Sequence, residues 1–408
     1  MNNKKFILPF LIVLVILIGM VPSWAQVIVQ CPTQNGGRVR GDLNGDGAIR
    51  AADGEIQKPL YPNQVCMHLS SGDGFVMMAD SYPLYTFGFS NVTDIPADQV
   101  MDYAMLKANF AAPTITVKEG DKFYLTLSNV GMMMRPDLFD PHTVHWHGFP
   151  NASTIFDGEP MASIAINMGS SLTYFYTAAE AGTYMYHCHV EATEHMQMGM
   201  LGNLYVTPAQ DGTVREYPLG FGKFYNKFAY NDVDGSTGYD VAYPIQIHAF
   251  DPAFHDASRY VQPLPFADLT DRYGMINGRG YPDTINTGNI LNEIGYPAQK
   301  VNSLITATSG QTILLRISNL SFDYYTLTIP GISMKVVGKD AKLLRGPDGK
   351  NLSYYTNSVD LGGGETADVI LDTTGITPGT YFLYTTNLNY LSNNTQERGG
   401  MMTEIVIN

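Results

Sequence analysis

Charged residues are scarce in this chain of 408 residues: they make up 15% of it, with only 24 Lys and Arg against 38 Asp and Glu. The net charge of −14 argues against a nucleic-acid role, because phosphate-backbone binding needs clustered Lys and Arg. Cysteine is scarcer still, with three residues, Cys31, Cys66 and Cys188. In an oxidising compartment an odd number implies one pair and one thiol with another task. After Val21 no apolar run reaches the roughly 20 residues that span a bilayer. What is plentiful points to a folded β protein. Hydrophobic residues reach 45%, enough to bury a large core. The 40 Gly, 23 Pro, 26 Tyr and 19 Phe favour strands joined by tight turns.

Lys4 and Lys5 precede an apolar run from Phe6 to Val21, and Ser23-Trp24-Ala25 offers a small-x-small cleavage site before Gln26. That is the layout of a secretory signal peptide over residues 1–25, and the run is short for a membrane anchor. The expected product is secreted, periplasmic or held at the cell surface. Cys31 and Cys66 flank a short polar segment and are expected to pair, which leaves Cys188 free.

Residues 26–70 read as a small N-terminal segment. Within it Asp42, Asn44 and Asp46 occupy positions 1, 3 and 5 of a twelve-residue loop, Gly47 sits at the sharp turn and Asp53 at position 12. With the carbonyl of Ala48 at position 7, oxygen ligands at this spacing wrap Ca²⁺. The loop resembles an EF-hand or dockerin loop in a structural role. An Asx-rich surface turn is the alternative, and Arg50 at position 9 offers no oxygen.

From about Thr114 the chain reads as alternating strands, and it repeats itself. Gly120 to Asn129 (GDKFYLTLSN) parallels Gly310 to Asn319 (GQTILLRISN), and Gly182-Thr183-Tyr184 parallels Gly379-Thr380-Tyr381. Period-2 apolar patterns broken by regular turns argue for β-sandwiches, and two copies argue for two of them. The expected domains are 71–208 and 219–408, joined by a polar linker from Ala209 to Pro218.

The first copy contains His142-Thr143-Val144-His145-Trp146-His147-Gly148 and His187-Cys188-His189, followed by His195 and Met200. Alternate residues of a strand face the same way. His145 and His147 therefore share a face, as do His187 and His189, while Cys188 points to the other side. One side then carries His142, Cys188, His195 and a weak axial Met200, the two-His, one-Cys set that suits blue copper. The other carries the imidazoles of His145, His147, His187 and His189, suited to further copper. A zinc site has no use for the Met or for a second His face.

These motifs resemble the multicopper oxidase family, in particular its two-domain members with type 1 copper in the first domain. The resemblance covers roughly residues 100–408, including Met275-Ile276-Asn277-Gly278 and Tyr281-Pro282-Asp283 in the second copy. It implies cupredoxin-like Greek-key sandwiches and a secreted copper-dependent oxidoreductase. An electron from an external small-molecule or protein donor enters at type 1 copper held by His142, Cys188, His195 and Met200. Type 2 and type 3 copper on His145, His147, His187 and His189 then passes electrons to O₂. Asp157, in Phe156-Asp157-Gly158, resembles an acid the family keeps near that cluster for proton supply; a turn-forming Asp-Gly is its other reading. The spacing from Cys188 to His195 is seven, against the family's usual five.

The family's trinuclear cluster takes eight His, four from each of two domains. In the second copy the matching positions are Tyr325, Thr328 and Pro330, then Tyr384, Thr385 and Thr386. The copper ligands are gone there. Three readings follow. Another chain, a second copy or a partner protein, completes the cluster. A reduced site of one or two coppers gives a different oxidase or a nitrite-reductase-like enzyme. Or the protein is a blue-copper electron carrier. The acidic balance permits a basic electron-transfer partner. His248 and His255, on either side of Asp251-Pro252, read as structural, His68 as surface or packing, and Met132, Met133, Met134, Met196 and Met198 as adaptable packing.

Overall fold

The computed structural model describes residues 29–150 and 152–408; the expected signal peptide, 1–25, lies outside them. Two β-sandwiches follow one another along the chain. The first is built from β1 (Gln64–Met77), β2 (Pro83–Asn91), β3 (Ile115–Lys118), β4 (Lys122–Gly131), β5 (His145–His147), β6 (Ser171–Thr177), β7 (Gly182–His187) and β8 (Leu201–Thr207). One of its sheets runs β1-β4-β6, with β2 on the far edge of β1, and the other runs β3-β8-β7-β5. Between them pack Tyr85, Phe87, Phe89, Leu125, Leu127, Trp146, Tyr174, Tyr176 and Tyr186, all buried.

The second sandwich centres on β9 (Val241–Phe250), β10 (Thr312–Asn319), β11 (Tyr325–Thr328), β12 (Met334–Lys339), β13 (Thr366–Asp372), β14 (Gly379–Thr385) and β15 (Met402–Ile407). The repeated segments fall on equivalent strands. β4 lies parallel to β1 and antiparallel to β6, while β10 lies parallel to β9 and antiparallel to β13. The Asn that ends each repeat does the same work. Asn129 Nδ2 donates to the carbonyls of Asp140 and Ile166, and its Oδ1 accepts from Gly131. Asn319 Nδ2 donates to the carbonyls of Asp323 and Leu361, and its Oδ1 accepts from Ser321. Each amide pins the loops leaving the sheet, and in the first sandwich those loops carry the histidines.

A polar seam joins the sandwiches. The Thr183 hydroxyl, on β7, donates to Asp368 Oδ1 at 2.6 Å and accepts from Arg316 at 3.0 Å. The Arg316–Asp368 pair lies buried at 3.5 Å. A buried pair in this setting gains little net stability but costs heavily if one partner is removed, so it sets the register of the two sandwiches. Beside it Met185, Leu201, Phe250, Met275 and Leu320 form an apolar layer.

Two features differ from the sequence-based expectation. β1 runs straight through residue 70, so the N-terminal segment and the first sandwich share a strand. Segment 209–218 is not loose: Arg215–Glu216 pairs with Phe224–Tyr225, and Ala209 and Gln210 donate to Glu119 and Asn231. Cys31 and Cys66 form a disulfide with S–S 2.06 Å. No helix among the described residues is long and apolar enough to cross a membrane.

Candidate metal centres

The strand geometry separates the candidate ligands into two groups. Within each, one ligand atom per residue lies within 4.8 Å of the others: His142, Cys188 and His195, and His145, His147 and His187. Cys188 follows the last residue of β7, so its side chain turns to the face opposite His187.

In the first group Cys188 Sγ lies 3.1 Å from His195 Nδ1 and 3.9 Å from His142 Nδ1. All three residues are buried, and the amide of Thr143 donates to the sulfur at 3.4 Å. Burial pushes the Cys188 thiol up, but the adjacent imidazoles of His195 and His142 outweigh it and bring the thiol down to about 5. A thiolate is the form that binds metal. His195 sits on α1 (Ala192–Gln197), whose N-cap Glu191 has φ 42°. The long spacing from Cys188 to His195 is thus taken up by a helical turn that swings the imidazole back to the sulfur. Met200 is fully buried in the core cluster that contains Cys188. Its carbonyl accepts from the Cys188 amide at 3.0 Å, and its amide donates to the His195 carbonyl at 2.8 Å.

The sequence gave no reason to single out Asp140. Its carboxylate lies 3.1 Å from His195 Nε2. Burial raises this carboxyl, but the His195 hydrogen bond and the charges of His195 and His142 hold it below the usual carboxylate range. A carboxylate on the outer nitrogen fixes the tautomer and leaves Nδ1 to face the metal. Its one sequence signal is its place two residues before His142.

In the second group His145 stands opposite His187 across the β5–β7 pair. Trp146 points the other way and stacks on Tyr176, with ring centroids 3.9 Å apart. His145 Nδ1 donates to the Asp157 carbonyl at 2.6 Å, and His187 Nδ1 to the Cys188 carbonyl at 2.8 Å. A carbonyl can only accept, so both rings keep a bare Nε2 for a metal. His147 Nδ1 and His187 Nε2 are 3.3 Å apart, the separation expected of two ligands each roughly 2.0–2.1 Å from one ion. Burial, then the neighbouring imidazoles, depresses His187 to about 3, so it is neutral and able to bind metal over the ordinary pH range. His189 stands slightly apart, its ring centroid 5.0 Å from His145 and 5.5 Å from His187.

All four rings open on a cleft of ≈ 440 Å³ whose far wall belongs to the second sandwich: Leu320, Ser321, Phe322, Gly363 and Gly364. Asp157 Oδ2 is 3.5 Å from His145 Nδ1. Its neighbour Gly158 has φ +80°, and a Cβ there would meet the Val144 carbonyl at 2.2 Å. The Asp-Gly pair therefore makes a turn and also touches the histidine face.

Two multicopper oxidase family models match the chain, over residues 90–211 and 261–406. The chain belongs to the multicopper oxidase family. It is 25% identical over 268 residues to a laccase of Phlebia radiata, covering 65% of this chain and 44% of that protein. It is 26% identical over 316 residues to laccase-15 of Oryza sativa subsp. japonica, covering 73% and 43%. The chain thus spans less than half the length of these relatives. The blue copper oxidase of Nitrosomonas europaea superposes with TM-score 0.61 at 23% identity, covering 84% of this chain and 86% of that one. The multicopper oxidase mgLAC gives 0.62 at 21%, covering 85% and 86%. These likenesses show the fold. Copper is the family's cofactor, and the buried thiolate with two imidazoles and the three bare imidazole nitrogens both suit it.

The loop Asp42–Asp53 closes on itself. Asp42 accepts from the amides of Gly45, Asp46 and Gly47, Asn44 Nδ2 donates to Asp53, and Asp46 pairs with Arg50 at 2.9 Å. Buried Glu55, missed in the sequence, accepts from the amides of Leu43, Asn44 and Arg50. Of the other histidines, His68 is buried on Ser128, so the surface reading fails for it, while His248 and His255 are buried away from both groups. Met132 and Met198 pack in the core, but Met133 and Met134 are exposed, held by their amides on the Asp73 carboxylate.

Proposed function

We propose that this protein is an exported copper-dependent oxidoreductase that takes electrons from an external small-molecule or protein donor and delivers them to O₂. His142, Cys188, His195 and Met200 would hold type 1 copper, and His145, His147, His187 and His189 the accepting copper site. Copper supplies one-electron redox chemistry at both places.

One observation carries the reading. Cys188 and His187 are neighbours in sequence, yet their ligand atoms belong to different groups. A single peptide link, reinforced by the hydrogen bond from His187 Nδ1 to the Cys188 carbonyl, therefore connects the two sites. Asp140 keeps the His195 ring oriented, and burial of Cys188 keeps water from the sulfur. Asp157, on the His145 side, is placed to take up or release a proton beside the cleft. The basic leader before Ala25 supports export.

The test is O₂ uptake by the copper-loaded protein with a phenolic donor. Continuous uptake beyond the amount of protein supports an oxidase. A blue protein that bleaches once and stops is an electron carrier and overturns the reading.

A further inference from the structure

Resting on that reading, we infer that the histidine cleft is a single-copper site on His145, His147 and His187, and that the chain reduces O₂ by two electrons, releasing hydrogen peroxide. Three observations lead there.

The imidazoles that converge are three, not eight. His145, His147 and His187 share one point, whereas His189 falls outside the group. The fourth side of the cleft is closed by the chain's own second sandwich, and that wall offers no imidazole, thiolate or carboxylate. Its one polar side chain, Ser321, has its hydroxyl committed to Asn319 Oδ1 at 2.8 Å. Gly364 presses so closely on His147 that a Cβ there would lie 3.0 Å from Nε2. This turns Nδ1 inward, toward the ion shared with His187.

A second copy of the chain cannot make up the deficit. Of nine histidines, six lie in the two sites. The remaining three, His68, His248 and His255, are at most 2% exposed and so have nothing to present to a neighbouring molecule. In the second sandwich Thr328 stands opposite Tyr384, as His145 stands opposite His187 in the first. The repeat therefore brings Thr and Tyr to the place where a copper face would be, in every copy.

The electron count then follows. One copper in each group stores two electrons. Two one-electron oxidations of the external donor supply two electrons, which with two protons convert O₂ to H₂O₂; the O–O bond is kept and each oxygen gains one proton. Reduction to water needs four electrons and cleavage of that bond, for which two one-electron centres are too few.

The experiment uses the full exported chain loaded with Cu²⁺, with metal analysis, paramagnetic spin counting and O₂ uptake on one sample. We expect two coppers per chain, all of it paramagnetic, and catalase returning half of the O₂ consumed. His147→Ala should keep the blue colour, which reports that it folds, and bind one copper. Four coppers per chain, a spin-silent fraction, or no O₂ returned by catalase would overturn the inference. Two coppers without O₂ uptake would leave the site count standing and overturn the oxidase reading together with the peroxide step.

Discussion

His147 Nδ1 lies 3.3 Å from His187 Nε2. The two rings come from antiparallel strands and meet because alternate residues of β5 face the cleft while Trp146 anchors the strand in the core. Each is held from behind, His187 by a carbonyl and His147 by the backbone of Gly364. Two facing imidazole nitrogens held this way form a half-built cage for a cation.

Gly364→Ala tests that cage. The residue has φ +88°, so a Cβ is strained there as well as crowding His147. The expected outcome is a stability loss of about 1–2 kcal/mol and loss of the cleft copper with the blue band intact. Metal analysis with visible spectroscopy checks it; copper content equal to wild type would contradict it.

Asp140→Asn should weaken the first site without unfolding the protein, because the amide keeps the shape but loses the charge that orients His195. Outer-shell substitutions of this kind cost about 10–100-fold in metal affinity or activity. Competition with a copper chelator reads the affinity directly. Unchanged affinity would mean that the carboxylate only fills space.

Acid should destabilise the protein through its buried histidines. Burial depresses His68 to about 4, so the folded state refuses a proton that the unfolded chain accepts below about 6.5. Stability from this group is complete above about pH 6.5 and is lost as the pH falls toward 4. At pH 5.5 the loss is about 1.4 kcal/mol. His68→Gln, which keeps a partner for Ser128, should flatten the melting temperature between pH 7 and 5. An identical pH profile would rule this group out as a cause.

Calcium should raise the melting temperature of the wild type, and Asp53→Ala should remove that response, since an ion that binds only the folded loop stabilises it by mass action, about 2.7 kcal/mol at a hundredfold excess over Kd. Differential scanning with calcium or a chelator decides it. No shift with either would mean that the amides and Arg50 alone satisfy the loop.

Both metal faces were legible in the sequence because ligand spacing and the period-2 pleat are local properties. The repeat was legible too, since its strands alternate cleanly. β1 was not: Ser70, Ser71, Gly72, Asp73 and Gly74 interrupt the apolar pattern. Yet the strand is buried, because it pairs on both edges and Asp73 accepts from Tyr85, Met133 and Met134. Asp140 and Glu55 escaped notice for a similar reason. Their partners are distant in sequence or are backbone amides, which leave no residue pattern. The wall of the cleft was likewise hidden, because Gly363 and Gly364 become meaningful only once two sandwiches meet.

The link between Cys188 and His187 is tested most directly by mixing the donor-reduced, blue-bleached protein with O₂ and following the return of the colour, in wild type and in His187→Ala. Wild type should regain its blue band promptly. His187→Ala should be bleached by the donor at the wild-type rate yet stay colourless in O₂. Recovery of the variant at the wild-type rate would contradict a route from Cys188 through His187 to the cleft.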